Sequence, residues 1–460
     1  MSRFKASASA PPPPPVRLAP AAPPRFTTGA QGPAAPRVPR LATGSNPFQS
    51  LGFFFTAAYV TVQFGYIGEL LAIFGHVYVP LVYVFGAPAV FFAIVGNRWR
   101  GVFRTRVGYY FVALNVLFLA SLPFSVYRSA SLSTFKIVVL AVYPVFLLIA
   151  GLVTTVAQVR VLMYLMVLAS ILDALLTLKF GVENSGRLSF VAGSLGNSND
   201  LALHLLISLP LCLLFVFDPA RHAATRLLMA IAALVMPYLA LQSGSRAGVV
   251  CLIVIGLFGL WKASAAQRII LAIVLLAVIA ALPTLAPETW TRLAGKTSSS
   301  SLRESREALS ADDSARARME VLRRSIQLTV MHPLFGVGMG EFADAESGLA
   351  ASENVSAHWQ VTHNAYTQIS SECGIPALIC FCGVVFGSLR LCLRLHGLSR
   401  PRAKLGEVGR MALAISVSIV CLIFAMPFDA IAYLNYVPTF AGLSVALWNA
   451  SQDDLRAAGV

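Results

Sequence analysis

Charge is what this sequence has least of. Only 12% of its 460 residues are Asp, Glu, Lys or Arg, where a soluble domain carries about 25%. With 57% apolar residues, a soluble globular chain is excluded. Several chemical signatures are missing as well. There is no HExxH, no paired His/Cys ligand spacing and no Asp-x-Asp beside a loop, so neither a metal nor another cofactor is expected. No GxSxG serine site occurs. The seven cysteines form no CxxC and sit within or beside apolar segments. Cys380 and Cys382 would project about 200° apart on a helix, and all seven read as small hydrophobes. The net charge of +15 does not indicate nucleic acid, because no soluble module offers a basic face interleaved with stacking aromatics.

What is present is hydrocarbon-compatible helix. The apolar runs are long enough to cross a bilayer, which takes roughly 20 residues each. An all-α polytopic fold of about twelve transmembrane helices is expected, at about 48–68, 77–96, 107–124, 132–153, 157–178, 200–217, 225–242, 245–262, 267–284, 366–390, 409–427 and 431–449. Residues 1–46 form a Pro/Ala/Arg-rich tail with five prolines at 11–15, too poor in apolar surface to fold. Spans one to nine occupy 47–284, a large polar loop 285–365, spans ten to twelve 366–450, and a short tail 451–460.

Arginines cluster in two short loops, Arg98, Arg100, Arg104 and Arg106 in one, and Arg390, Arg394, Arg400 and Arg402 in the other. Basic short loops stay cytoplasmic, so both termini are expected inside and the 285–365 loop outside. That loop is too long to be an idle connector. Its part from 298 to 313 reads as mobile. From an N-cap at Asp312, Asp313 or Ser314 an amphipathic helix should run to Met331, before His332-Pro333. Its stripe of Met319, Leu322, Ile326 and Val330 should lie against the membrane-domain roof.

The polar groups that gather at the outer boundary are where chemistry is sought. His363 and Asn364 precede span ten, and Tyr366 and Glu372 follow. His363 reads equally as a helix cap or interfacial anchor and as a catalytic imidazole. Glu372, expected inside the apolar region, calls for a partner or a water-filled cavity. In Gln242–Gly248 the turn places Arg246 at a helix N-terminus, against the local dipole, as if an anion were bound there. Gly336, Gly338 and Gly340 suit a compact turn whose N–H groups meet an oxyanion, with no Walker lysine for a nucleotide. Arg187, Asn197 and Asn199 form another outer loop, suited to helix capping or to sugar hydroxyls.

Together these stretches resemble the bacterial O-antigen ligase and O-unit polymerase-like integral membrane proteins. The resemblance rests on Gly196–Asp200, Ser243–Gly248, the run from Arg318 to Pro333 continuing into Gly336–Phe342, and His363–Tyr366 with Glu372 and Gly374. It implies the helical membrane fold of lipid-linked-sugar glycosyltransferases, sited in the bacterial inner membrane with a periplasmic active site. The donor would be an undecaprenyl-diphosphate-linked glycan, the acceptor a glycolipid, glycan or protein, and no metal would take part. His363 would be the catalytic base, and Arg246 and Arg318 would bind the diphosphate. Leu322 stands where an aromatic is common in the family, and the subtype stays open. A transporter or flippase of a polar lipid or lipid-linked sugar is the competing reading. It would need ionisable groups near the bilayer midplane, where only Asp173 and His204 fall.

Overall fold

The computed structural model describes residues 47–184, 186–262 and 302–459. The N-terminal tail and the expected span at 267–284 lie outside them. The described chain is helical apart from one two-stranded hairpin.

Among the described residues, seven helices are long and apolar enough to cross a membrane: Arg106–Phe124, Arg128–Leu152, Val156–Phe180, Ser198–Val216, Ala223–Gln242, Ile375–Ser399 and Ala403–Phe428. Two bent pairs raise this to nine. Helix α1 (Pro47–Phe64) meets α2 (Ile67–Gly75) at 59°, with Tyr66 in the left-handed region at the break, and α3 (Leu81–Val95) meets the turn Arg98–Arg104 at 83°. The expected count of twelve is not reached by this measure. The last apolar helix, Tyr436–Ala450, has only 15 residues.

Helix α4 (Arg106–Ser121) is followed by α5 (Arg128–Phe135) and α6 (Pro144–Leu152), which a π-helical stretch at Lys136–Val142 joins. Helix α7 (Val156–Phe180) opens on a capping box at Thr155 and Gln158. The hairpin β1 (Val182–Asn184) and β2 (Arg187–Ser189) leads into α8 (Ser198–Val216), α9 (Ala223–Gln242) and α10 (Arg246–Lys262). Helix α8 is the hub. It is apolar on every side, which suits a helix surrounded by others, and it packs on α7, α9 and α10. Its one imidazole is paired internally: His204 Nε2 lies 3.0 Å from Asp173 Oδ2, both side chains fully buried, while His204 Nδ1 and Asp173 Oδ1 have no hydrogen-bond partner among the described residues. Ser170 Oγ lies 3.2 Å from His204 Nε2 and 2.8 Å from Ser208 Oγ.

The segment after 302 departs from expectation in three places. Helix α11 begins at Leu302 and runs to Met331, so the stretch read as mobile is helical from that point. Its inward face is Val321, Arg324, Ser325 and Leu328, whereas Met319, Ile326 and Val330 face outward at 66%, 51% and 73% exposure. Three of the four residues of the expected stripe therefore point away from the protein, and Leu322 is half-buried. A buried arginine displaces the stripe: Arg324 reaches Glu320 at 3.3 Å and Glu353 at 2.5 Å. These partners remove the penalty that otherwise keeps arginine outside. Val321 and Leu328 join Val337, Phe342 and Ala345 in a small separate core beneath α12 (Phe342–Ser352).

The third departure is span ten. Residues 366–390 are not one helix: α13 (Ala365–Cys373) stops at Gly374, and the long helix α14 (Ile375–Ser399) begins just after it. Gly374 has φ 89°, and a Cβ there would sit 2.3 Å from the carbonyl oxygen of Leu334. Only glycine fits, and Pro376 then starts the new helix without needing an N–H partner. Helices α15 (Gly406–Ala425), α16 (Tyr436–Ala450) and α17 (Gln452–Ala457) complete the chain.

Candidate functional site

At the end of the bundle where α8 and α10 begin, four stretches distant in sequence meet. The turn between α9 and α10 is closed by Gly244 at φ 61°. Ser245 Oγ accepts the Gly248 N–H at 3.2 Å, capping the new helix. This leaves Arg246, the first residue of α10, exposed.

Arg187 from β2 staples this turn to α8. Its Nε donates to the Ser243 carbonyl at 3.0 Å and its Nη2 to Asn199 Oδ1 at 2.8 Å. Asn197 is the N-cap of α8, its Oδ1 accepting the Asn199 N–H at 3.0 Å. The amide oxygens of Asn197 and Asn199, expected to meet sugar hydroxyls, are thus engaged by the protein itself.

The glycine turn after α11 is used in the same way. Val337 N–H donates to the Ser371 carbonyl at 2.9 Å and Gly338 N–H to the Glu372 carbonyl at 2.8 Å. Gly340 N–H donates to Glu372 Oε2 at 2.7 Å. The amides of Gly338 and Gly340, expected to face an oxyanion, instead hold the end of α13. Their glycines are needed for close approach, since a Cβ on Gly338 would lie 2.1 Å from Ser125 Oγ. Glu372 is correspondingly a pinned group. It is buried, and it also accepts the Tyr433 hydroxyl at 2.6 Å. The expected cavity around Glu372 is a packed, hydrogen-bonded setting, because the break at Gly374 puts it ahead of the membrane-spanning helix. Burial pushes its carboxyl up to about 7, against the pull of Tyr433 and Gly340 and with a small push from Glu341.

His363 stands at the mouth of α13 with φ 48°, in the left-handed region. A non-glycine residue held there is strained, a condition found disproportionately at functional sites. It does not cap the helix. Asn364 does that, its Oδ1 accepting the N–H groups of Tyr366 at 2.9 Å and Thr367 at 3.2 Å. Tyr366 turns its hydroxyl to the Ile423 carbonyl at 3.4 Å. The imidazole is half-buried, and its Nδ1 has no hydrogen-bond partner among the described residues.

Electrostatics ties these pieces together. Burial lowers the His363 pKa below its usual 6.5, and the positive charge of Arg318 lowers it further. Burial also lowers Arg318, which feels the opposing charge of Asp429 and the like charge of Arg246. Arg318 thus lies within electrostatic reach of His363, Arg246 and Asp429 together. Two helices, α10 and α11, and two loops, at His363 and Asp429, supply these mutually interacting charges.

Asp429 is the residue that sequence reasoning missed. It follows the end of α15, with Oδ1 accepting the Ala430 N–H at 3.0 Å. Burial raises its pKa, while Asp200, Arg318 and Arg187 pull it down. An isolated acid between two apolar runs was the available signal, in a chain where acids are scarce. Glu346 was also missed. It is buried on α12 and accepts the backbone N–H of His358 at 3.1 Å, with His358 Nδ1 3.3 Å from its other oxygen. It holds the loop that leads to His363.

Residues 228–382 match the family model described as O-antigen ligase. The matched stretch contains Arg246, Arg318 and His363. It supports an O-antigen ligase-like family for the chain, and with it a ligase- or polymerase-type, glycosyl-transferring activity in general. No curated protein matches the sequence.

Proposed function

We propose that the protein transfers or polymerises an undecaprenyl-diphosphate-linked glycan on the periplasmic face of the bacterial inner membrane, with His363 as general base. The observation that carries this reading is the convergence of Arg318 on His363, Arg246 and Asp429. An imidazole kept neutral by burial beside a cation is suited to take a proton near neutral pH.

In the proposed reaction, a hydroxyl of the acceptor (a glycolipid, another glycan or a protein) gives its proton to His363. Its oxygen bonds the anomeric carbon of the donor sugar as the bond from that carbon to the diphosphate oxygen breaks. The electron pair leaves with the undecaprenyl diphosphate. Arg246 and Arg318 hold the growing negative charge, the kind of electrostatic contribution that usually dominates such steps. A single displacement inverts the anomeric centre. Asp429 offsets part of the positive charge of Arg318 and Arg187 in the absence of donor, a positioning role.

The transporter reading draws on Asp173 and His204 alone. Their 3.0 Å mutual contact, full burial and enclosure by Ser170 and Ser208 favour a buried structural pair over a transport path.

The test is a strain lacking the protein, complemented with wild type or His363→Ala. Loss of transfer with normal membrane levels of the variant supports the reading, and a fully active variant overturns it. Accumulation of single lipid-linked repeat units would identify a polymerase. Long lipid-linked chains would identify a ligase.

A further inference from the structure

The two arginine clusters that indicated orientation do more than sit in loops. Between α4 and α14, at the ends of these helices remote from His363, lies a cavity of about 600 Å³. Arg104, Arg106, Arg390 and Arg394 all line it, together with Thr105. Among the described residues, none of these four guanidiniums pairs with a carboxylate, unlike Arg160 on α7, which pairs with Asp218 and Glu407. Arg394 lies over the Trp448 ring at 5.4 Å. All four arginines are solvent-exposed, and four like charges gathered around one cavity favour an anion among them.

The start of α4 is likewise incomplete. Thr105 is its N-cap and has the extended backbone of a cap (φ −129°, ψ 154°), yet its side chain makes no capping bond. Its hydroxyl is buried and has no partner among the described residues. The first residue of the helix is Arg106, a cation at the positive end of the helix dipole. An unpartnered hydroxyl and cations at the positive end of a helix dipole are both suited by a bound phosphate.

The rest of the lining identifies the molecule that bears the phosphate. Tyr110 and Phe386, which also line the cavity, are 39% and 47% exposed on the outside of the bundle. The cavity therefore has an apolar flank facing where acyl chains would lie. Gly383 and Gly387 let the two helices close beneath it, a Cβ on Gly383 meeting the Tyr110 ring at 2.6 Å. No histidine or carboxylate stands among the lining residues to activate a hydroxyl, which suits a site that binds without reacting.

We propose that this cavity is a binding site for the headgroup of an anionic glycerophospholipid, taken from the leaflet at the arginine-rich end of the bundle. Basic pockets between membrane helices hold such headgroups elsewhere. The proposal stands independently of the glycan-transfer reading.

The test uses the full chain in phosphatidylcholine nanodiscs with and without 10 mol% cardiolipin, read by lipid retention in native mass spectrometry and by melting temperature. Wild type should retain cardiolipin over phosphatidylcholine and melt higher with it. The Arg104→Gln/Arg390→Gln double variant should melt as wild type does in phosphatidylcholine and lose the preference by about tenfold or more, at roughly 1 kcal/mol per arginine. Should the double variant not fold, Thr105→Val, nearly isosteric, should weaken retention by several-fold. Equal retention by wild type and the folded variant overturns the site. If 10 mM pyrophosphate raises the melting temperature as much as cardiolipin does and strips the lipid, the occupant is a soluble anion and the lipid assignment fails.

Discussion

Burial and the nearby positive charge of Arg318 together hold the His363 imidazole below the usual histidine pKa, although one residue lies on α11 and the other in the loop before α13. In the proposed reaction, the cation that would bind donor phosphate would thereby also help to keep the base unprotonated. The two roles are coupled by geometry, and the coupling can be measured.

His363→Ala should lower transfer about 100- to 10,000-fold, the range for a lost general base. The acid limb of kcat/KM should lie below pH 6.5, because the neutral imidazole is the active form and its pKa is depressed. Arg318→Gln removes a positive charge, so the limb should move to higher pH while activity falls. A pH–rate profile in proteoliposomes reads both, and an unmoved limb would separate the two residues.

Asp429→Asn should reduce activity without abolishing it, because it removes the carboxylate that faces Arg318 but leaves the guanidinium in place. The effect should appear chiefly as weaker donor binding, a raised KM with a smaller change in kcat. Steady-state kinetics over donor concentration decide this.

Glu372→Gln should flatten part of the stability-against-pH curve. The carboxyl is raised from 4.5 to about 7 in the folded protein. Folding therefore favours the protonated form, and the associated stability is complete below about pH 4.5 and is lost as pH rises through 7. The shift corresponds to roughly 3 kcal/mol. Melting temperature in detergent from pH 4.5 to 8 should fall in wild type and fall less in the variant.

Gly338→Ala should destabilise by about 2 kcal/mol or more, since the residue has φ 111° and its Cβ would collide with Ser125. Adding Ser125→Gly should restore only part of this, because the backbone strain remains. Partial rescue in thermal unfolding is the expected result; full rescue would mean that the φ value carries no strain.

Much of the architecture is legible because hydrophobic runs and bilayer thickness are matched lengths. The helices at 106–124, 156–180 and 223–242 fall within a few residues of their expected places. The motif positions around Arg246, Arg318 and His363 are legible too, as polar islands in apolar sequence. The break at Gly374 was not, because the apolar run continues across it and only the contact with Leu334 demands a glycine there. The inward face of α11 was misread for a related reason. Hydrophobicity alone assigns Met319, Ile326 and Val330 to the core, and the partners that admit Arg324, on α11 itself and at the end of α12, depend on tertiary structure. Asn197, Asn199, Gly338 and Gly340 have the composition of ligand contacts. Polar groups that bind a substrate and polar groups that brace a loop look alike until their partners are known.

The joint at Gly374 decides how the bilayer acts on the imidazole. Helix α14, 25 residues long, must tilt to suit whatever hydrocarbon thickness surrounds it. Helix α13 is fastened to the turn after α11 by the bonds from Val337, Gly338 and Gly340. The start of α14 is tied to that same turn, Ile375 N–H donating to the Pro333 carbonyl at 2.8 Å, so a tilt of the long rod would be passed to the segment that joins α11 to the histidine loop.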